Sequence, residues 1–298
     1  MLLSAVTAGA IGAIAGPAAA ASPKPRANAS CAAITMRDGV KLFHREWGAG
    51  RPALFVHSWG LTSDIWAYQI AALGSQGLRC IMFDRRGHGR SEMPATGYDM
   101  DTLADDLAAV IEGLNLRDVV LVGHSMGCAE IVRYVGRHGT SRVAKIALLA
   151  PTTPGILKSA DNPHGPPAAY FDGVRAEWAA DFPKWVEDNK RPFFTADTSP
   201  AMIDWLVSVM LRLSIPVGIA CSKAFVETDL RPDLAKIDRP VLILQGDRDV
   251  SAPLELTGRR TAAGIRGAIL KVYEGAPHGL FVTHMKRVNS DLLAFINA

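Results

Sequence analysis

The chain has 298 residues, of which 49% are hydrophobic and 20% are charged, and its formal net charge at pH 7 is +3. This length and balance fit one large globular domain, or a core domain that carries an insertion. So small a positive charge, without a basic run, argues against nucleic-acid binding.

The first thirty residues differ in composition from the rest. Residues 1–16 are mostly small and apolar, and an alanine run after Pro17 precedes Ser22-Pro23-Lys24-Pro25-Arg26. This order is typical of a signal peptide and its cleavage site, although no basic residue precedes Leu2. We expect residues 1–30 to be a signal peptide and flexible leader, and the protein to be periplasmic or secreted. If the segment is not a working signal, we expect a cytoplasmic protein. No stable membrane span is expected, because Gly residues and Pro17 interrupt a segment already short of ~20 residues.

The cysteines are Cys31, Cys80, Cys128 and Cys221, and they show neither a C-x-x-C pair nor a metal-ligand spacing. Cys80 lies in a strand pattern and Cys128 in a helical pattern, which indicates buried thiols. No disulfide can be deduced. No set of His, Cys and carboxylate residues has metal spacing either, so no metal is expected.

Strand and helix patterns alternate over residues 32–151. Two strand patterns that flank Arg37-Asp38-Gly39 predict an N-terminal hairpin. The periodicity predicts strands at 32–36, 41–47, 53–57, 79–83, 119–122 and 143–149, and helices at 64–73, 101–114 and after Ser125.

The alternation stops at Pro151 and resumes after about Thr228. The intervening segment is rich in proline and aromatic residues and has helical patterns, which predicts a helical cap at 152–228 inserted into a core of 31–151 and 229–298. Strands at 241–245 and 269–273, and helices from about 254 and at 286–296, complete the core. The whole pattern predicts a mainly parallel eight-stranded sheet with helices on both faces and the hairpin at one edge.

The strongest motif is Gly123-His124-Ser125-Met126-Gly127, which lies between a buried strand pattern and a helical pattern. A strand, a sharp turn and a helix are what a G-x-S-x-G nucleophile elbow requires. Ser125 is therefore the candidate nucleophile. A serine hydroxyl is a weak nucleophile at neutral pH, so a base and an orienting group are needed.

Acidic and histidine candidates follow in the required order at the ends of later strands. The loop after residues 241–245 contains Asp247 and Asp249, and the loop after residues 269–273 contains His278. Carboxyl ends of parallel strands meet at one edge of a sheet, so both loops should lie near Ser125. We predict His278 as the base in preference to His284, whereas chain order does not separate Asp247 from Asp249.

The tetrahedral oxyanion of such a reaction needs two hydrogen-bond donors. The N–H groups of Met126 and Trp59 are the candidates, because one follows the nucleophile and the other lies in the loop after residues 53–57. The Trp59 side chain is a candidate wall of an apolar pocket, or a plain packing residue. Aromatic residues of the cap should roof that pocket, or else only pack the cap against the core. The candidate pocket residues are Trp59, Phe171, Trp178, Trp205 and Leu280.

Histidines elsewhere near the elbow have other expected roles. His57 and His88 lie in tight loops, where an imidazole can hold a loop by hydrogen bonds. His124 precedes the nucleophile, and its side chain should point away from Ser125.

Several segments of the chain carry a family resemblance, namely residues 55–60, 83–91, 99–107, 123–127, 133–139, 223–229, 246–249 and 277–279. Together they resemble the α/β-hydrolase superfamily and, within it, the cofactor-free (non-haem) bacterial haloperoxidases and aryl esterases, which include perhydrolases. The resemblance runs from about Ile34 to Ile296.

That resemblance implies a catalytic triad of Ser125, Asp249 and His278, and oxyanion donors at Trp59 and Met126. It implies hydrolysis of carboxylic esters through an acyl-serine without a cofactor, and in many members the use of hydrogen peroxide in place of water. Two positions depart from the family pattern. Ser58 stands where glycine is usual, and Gly60 stands where proline or leucine is common, a position linked to peroxide use.

The sequence thus predicts a serine carboxylesterase acting on small to medium apolar esters. Lactonase, amidase or perhydrolase activity with the same triad is the nearest alternative. A non-catalytic ligand-binding protein is a more distant one, since a fold does not fix a function. The expected partner is a small-molecule ester, and a homo-oligomer is compatible with the sequence.

Overall fold

A computed structural model describes residues 33–298 of the chain. The predicted signal peptide and leader, and Cys31, lie outside the described residues. The strands are β1 (Ala33–Thr35), β2 (Lys41–Trp47), β3 (Arg51–Val56), β4 (Leu78–Phe83), β5 (Val119–His124), β6 (Val143–Leu149), β7 (Val241–Gly246) and β8 (Ile269–Tyr273).

These strands form one eight-stranded sheet in the order β1-β2-β4-β3-β5-β6-β7-β8. The β1–β2 and β2–β4 pairs are antiparallel, and the pairs from β4 through β8 are parallel. The predicted edge hairpin and parallel sheet are therefore confirmed. Every residue of β5 is buried, as expected for a central parallel strand with helices on both faces.

Helices cover both faces of the sheet. They are α1 (Ala67–Leu73), α2 (Met100–Gly113), α3 (Met126–His138), α4 (Ala168–Asn189), α5 (Pro200–Met210), α6 (Ile215–Glu227), α7 (Arg231–Leu234), α8 (Gly258–Gly264), α9 (Leu280–Thr283) and α10 (Met285–Asn297). Successive β5 side chains point to opposite faces, so Val119 and Leu121 pack with α2 and α3, while Val120 and Val122 belong to the core that contains α1 and α10.

The segment predicted as a cap, 152–228, holds α4, α5 and α6, and its described β-structure is a single bridge between Ser159 and Asn162. Helix α4 is kinked at Asp181, two residues before Pro183. Within residues 33–298 no single helix is long and apolar enough to cross a membrane, although α5 and α6, bent by 93° relative to each other, reach that length and composition together.

Two features near the sheet refine the sequence-based predictions. The helix expected from about residue 254 begins at Gly258, because Leu256 and Thr257 first form turns on the Pro253 carbonyl. The thiols of Cys80, Cys128 and Cys221 are free and buried, which confirms the predicted environment of the first two.

Candidate active site

The chain turns sharply at Ser125, between β5 and α3. Ser125 has φ 55° and ψ −118°. This backbone conformation is energetically unfavourable for any residue that has a Cβ. Such strain persists only where the surroundings impose it, here through the Ser125 N–H, which donates to the Leu149 carbonyl at 2.9 Å. The turn sets the serine at the carboxyl edge of the sheet, where α3 begins.

Close packing behind the elbow depends on Gly127. A Cβ at this position would lie 2.4 Å from the Val56 carbonyl oxygen and 2.8 Å from that of His57. Both oxygens belong to backbone that cannot rotate away, so α3 and the loop after β3 approach each other only with glycine here.

Gly127→Ala should therefore lower the free energy of unfolding by about 3 kcal/mol, the upper end of the usual cost of overpacking, because the new Cβ meets backbone atoms. Gly173 in α4 is the matched control, because a Cβ there meets nothing within 4 Å. Gly173→Ala should raise stability by roughly 0.5–1 kcal/mol through helix propensity. Urea unfolding of both variants measures the difference, and equal changes would contradict the packing argument.

The structure brings the three predicted triad side chains together. His278 Nε2 lies 2.9 Å from Ser125 Oγ, and His278 Nδ1 lies 2.8 Å from Asp249 Oδ2. A neutral imidazole whose Nδ1–H donates to the carboxylate leaves Nε2 free to accept the serine proton. His284, the alternative base, instead has its Nδ1 2.9 Å from Thr283 Oγ1.

The two candidate acids are separated by their hydrogen bonds. Asp249 Oδ1 accepts the N–H groups of Ser251 and Ala252, at 3.0 and 2.8 Å. Its Oδ2 faces His278 Nδ1 and also accepts a hydrogen bond from Gln245 Nε2 at 3.1 Å. Asp247 Oδ1 instead accepts the Gly275 N–H at 2.7 Å, so this carboxylate braces the turn after β8. Only Asp249 is placed to orient His278.

The predicted oxyanion donors lie on neighbouring elements. Met126 is the first residue of α3, where an amide has no intrahelical acceptor. Trp59 follows β3, which pairs directly with β5 through Val56 opposite Gly123. The two amides thus flank the edge of the sheet at which Ser125 stands.

The remaining histidines near the elbow are buried. Burial lowers the pKa of His57, His88 and His124, and Arg85 adds to this effect at the first two. His124 Nε2 lies 2.9 Å from the His278 carbonyl oxygen, so it supports the loop that carries the base. The predicted loop-holding contact of His57 is present, because its Nε2 accepts the Arg85 N–H at 2.9 Å.

His88 gives a pH dependence whose sign follows from its environment. Burial and the Arg85 charge lower its pKa from 6.5 to about 3. Between these values the unfolded chain binds a proton at His88 that the folded protein does not, so stability falls as pH falls. The unfolding free energy of His88→Asn should therefore depend on pH less steeply than that of the unmodified protein, by about 1.4 kcal/mol per unit between pH 5.5 and 4. Denaturant unfolding at several pH values measures this, and parallel curves would refute it.

Trp59 and Trp178 are the two predicted pocket residues that the structure brings together. Their rings stack with centroids 4.4 Å apart, and Phe182 meets Trp59 edge-on at 6.3 Å. The Trp59 indole N–H donates to the Gly218 carbonyl of α6 at 2.8 Å. The loop after β3 is thereby attached to both α4 and α6.

The other predicted pocket residues have different neighbours. Phe171 packs edge-on against Tyr170, and Trp205 packs edge-on against Tyr68, at centroid distances of 5.2 and 5.9 Å. Leu280 is fully buried in the core at the start of α9. These contacts do not join Phe171 or Trp205 to the Trp59–Trp178 pair.

Two neighbours of the site were not among the candidate pocket residues. The Phe193 ring lies 5.6 Å from that of His278, and the Phe193 carbonyl accepts the Gly279 N–H at 3.1 Å. Met210 lies over Gly60, where a Cβ would come within 2.4 Å of its sulfur. No local spacing marks either residue, since both reach the site from the segment between β6 and β7.

Comparisons with known proteins agree with this architecture. The chain matches the alpha/beta hydrolase family over residues 53–291. It is 42% identical to the non-heme chloroperoxidase CPO-A1 of Kitasatospora aureofaciens over 88% of this chain and 98% of that protein. It is 36% identical to the bifunctional esterase/perhydrolase DCH of Acinetobacter calcoaceticus over 89% and 99%.

A solved structure shows the same fold. The esterase EaEST of Exiguobacterium antarcticum superposes with a TM-score of 0.87 at 30% identity, covering 89% of this chain and 99% of that one. The resemblance predicted from the sequence is confirmed, and the chain belongs to the α/β-hydrolase family.

Proposed function

We propose that this protein is a serine carboxylesterase that hydrolyses small to medium apolar esters through an acyl-serine. The observation that carries the proposal is the continuous hydrogen-bond chain from Ser125 through His278 to Asp249. Nucleophile, base and orienting group are in contact, which is the geometry that nucleophilic catalysis by serine requires.

The proposed reaction proceeds in two halves. His278 Nε2 takes the Ser125 proton as Oγ attacks the ester carbonyl, and the N–H groups of Met126 and Trp59 stabilise the oxyanion. The imidazolium, held by Asp249, then protonates the leaving alcohol. Water activated by His278 attacks the acyl-serine, and collapse of the second tetrahedral intermediate releases the acid and restores Ser125.

The aromatic rings near Ser125 favour a substrate with an apolar acyl or alcohol group. Trp59 carries a proposed oxyanion donor on its backbone while its ring stacks on Trp178. Phe193 adds an apolar ring beside His278. We propose that these three rings, rather than Phe171 or Trp205, face the substrate.

Perhydrolysis with the same triad is the second candidate. It is favoured by the relatives named as a chloroperoxidase and as an esterase/perhydrolase. In this reaction hydrogen peroxide replaces water as the nucleophile that attacks the acyl-serine, which releases a peracid. Gly60 is the position to examine, because its φ of +70° and its contact with Met210 disfavour any larger residue there.

A substrate panel separates these activities. Aryl esters of increasing acyl length, matched lactones and matched amides should be compared, each with and without hydrogen peroxide. We expect ester turnover to exceed lactone and amide turnover. A fluorophosphonate should form one adduct, at Ser125; the absence of both adduct and turnover would favour a non-catalytic binding protein.

A further inference from the structure

The peptide unit that carries the Trp59 N–H receives two hydrogen bonds on its other side. In a trans peptide the carbonyl and the N–H point in opposite directions, so the Ser58 carbonyl faces away from the atom that Trp59 N–H addresses. His57 Nδ1 lies 2.8 Å from that carbonyl oxygen, and Arg85 Nη1 lies 3.2 Å from it. Both lone pairs of the oxygen are therefore engaged.

The protonation of His57 follows from its second nitrogen. The Arg85 backbone N–H donates to His57 Nε2 at 2.9 Å, so Nε2 carries no proton. In a neutral imidazole the proton then lies on Nδ1, which donates to the Ser58 oxygen. Burial keeps His57 neutral by lowering its pKa.

Arg85 also links this loop to the nucleophile helix. Its Nη2 donates to the His57 carbonyl at 2.6 Å, and its guanidinium pairs with Glu130. Both side chains of the pair are 1% exposed. Glu130 lies on α3 about one turn beyond Met126, so one guanidinium contacts both the loop before Trp59 and the helix that begins at Met126.

We propose that Arg85 is a positioning residue for the oxyanion hole. It polarises the Ser58–Trp59 peptide, which makes the Trp59 N–H a stronger donor, because hydrogen bonds in a chain reinforce one another at low dielectric. Through Glu130 it sets the distance between this amide and the amide at the start of α3. The inference rests on the proposed function, since it requires that Trp59 N–H bind an oxyanion.

Arg85→Lys tests the proposal, because lysine keeps the charge but cannot reach the Ser58 oxygen, the His57 oxygen and Glu130 together. Arg86→Lys is the matched control. Arg86 is also 1% exposed, but it pairs with Asp106 and Asp38 instead of the loop. Active sites are counted in each variant by end-point labelling of Ser125 with a fluorophosphonate.

The readouts are kcat and KM for 4-nitrophenyl acetate and the inhibition constant of an aryl trifluoromethyl ketone, whose serine adduct bears an oxyanion. For Arg85→Lys we expect kcat per active site to fall about 10- to 100-fold, less than the loss of about 10²–10³-fold from deleting an oxyanion donor. KM should remain unchanged, and the inhibition constant should rise by the same factor as kcat falls. Arg86→Lys should change each of the three readouts less than threefold.

A second variant keeps the test decisive if Arg85→Lys does not fold. His57→Gln retains an acceptor for the Arg85 N–H but removes the imidazole donor to Ser58, and it should lower kcat and ketone affinity in parallel by several-fold. Unchanged kcat per labelled site and unchanged ketone affinity, beside a lower thermal midpoint, would overturn the proposal and leave Arg85 a structural residue. Absence of labelling and turnover in the unmodified protein would overturn the proposed function itself.

Discussion

Replacing Ser125 by alanine should lower kcat for 4-nitrophenyl acetate by about 10⁴-fold or more, equivalent to about 5.5 kcal/mol or more of transition-state stabilisation. The hydroxyl lies 2.9 Å from His278 Nε2, and no acyl-enzyme can form without it. His278 and the oxyanion amides would remain, so a small residual rate through direct attack by water is expected. The measurement is turnover under substrate saturation, together with mass spectrometry after fluorophosphonate treatment.

A second buried serine provides the control for this variant. Ser222 in α6 is 1% exposed, and its hydroxyl lies 3.5 Å from Arg175 Nη1 rather than beside a histidine. Ser222→Ala should keep kcat within a few-fold and still accept one fluorophosphonate. Substantial turnover by Ser125→Ala, or formation of a fluorophosphonate adduct in that variant, would contradict the proposed mechanism.

Asp249→Asn should lower kcat by about 10³–10⁴-fold, because the amide cannot act as the carboxylate that orients and stabilises the imidazolium. The asparagine oxygen can still accept the two backbone N–H groups that donate to Asp249 Oδ1. The side-chain NH₂ would then face His278 Nδ1 and favour the tautomer with its proton on Nε2, where it cannot act as a base. Stopped-flow and steady-state kinetics with 4-nitrophenyl acetate measure the loss.

Asp247→Asn is the matched control, two residues earlier in the same loop. In the unmodified protein Asp247 Oδ1 accepts the Gly275 N–H, and an asparagine oxygen can accept the same hydrogen bond. We expect kcat within about threefold of the unmodified protein, since the asparagine oxygen can keep this hydrogen bond and Asp247 is bonded to Gly275 rather than to His278. Equal losses in the two variants would show that Asp249 has no special role in orienting His278.

Local order along the chain predicted much of this site. The strand, turn and helix around Ser125 are encoded within about twenty consecutive residues, so hydrophobic period and glycine positions were enough to locate the elbow. His278 was found because its loop follows a recognisable strand. The parallel sheet, the edge hairpin and the buried thiols of Cys80 and Cys128 follow from the same short-range patterns.

The tertiary structure was needed to decide between candidate residues that are close together in the sequence. Asp247 and Asp249 follow one strand within three residues, and only the turn through Ser251 and Ala252 decides which carboxylate reaches His278. The helix start at Gly258 shifted for a similar reason, since turn hydrogen bonds outweigh a helical pattern over a few residues.

The sequence by itself determined the fold family, and it predicted the candidate nucleophile and the order of the candidate acid and base. Each of these depends on one strand and the loop that follows it. Only the tertiary structure decided that Trp178 stacks on Trp59, that Phe193 lies beside His278, and that Arg85 holds the loop before Trp59. These contacts join residues from 28 to more than 100 positions apart. Hydrophobic periodicity does not predict contacts between residues so far apart in the sequence, since these contacts arise when separate helices and loops pack on one edge of the sheet.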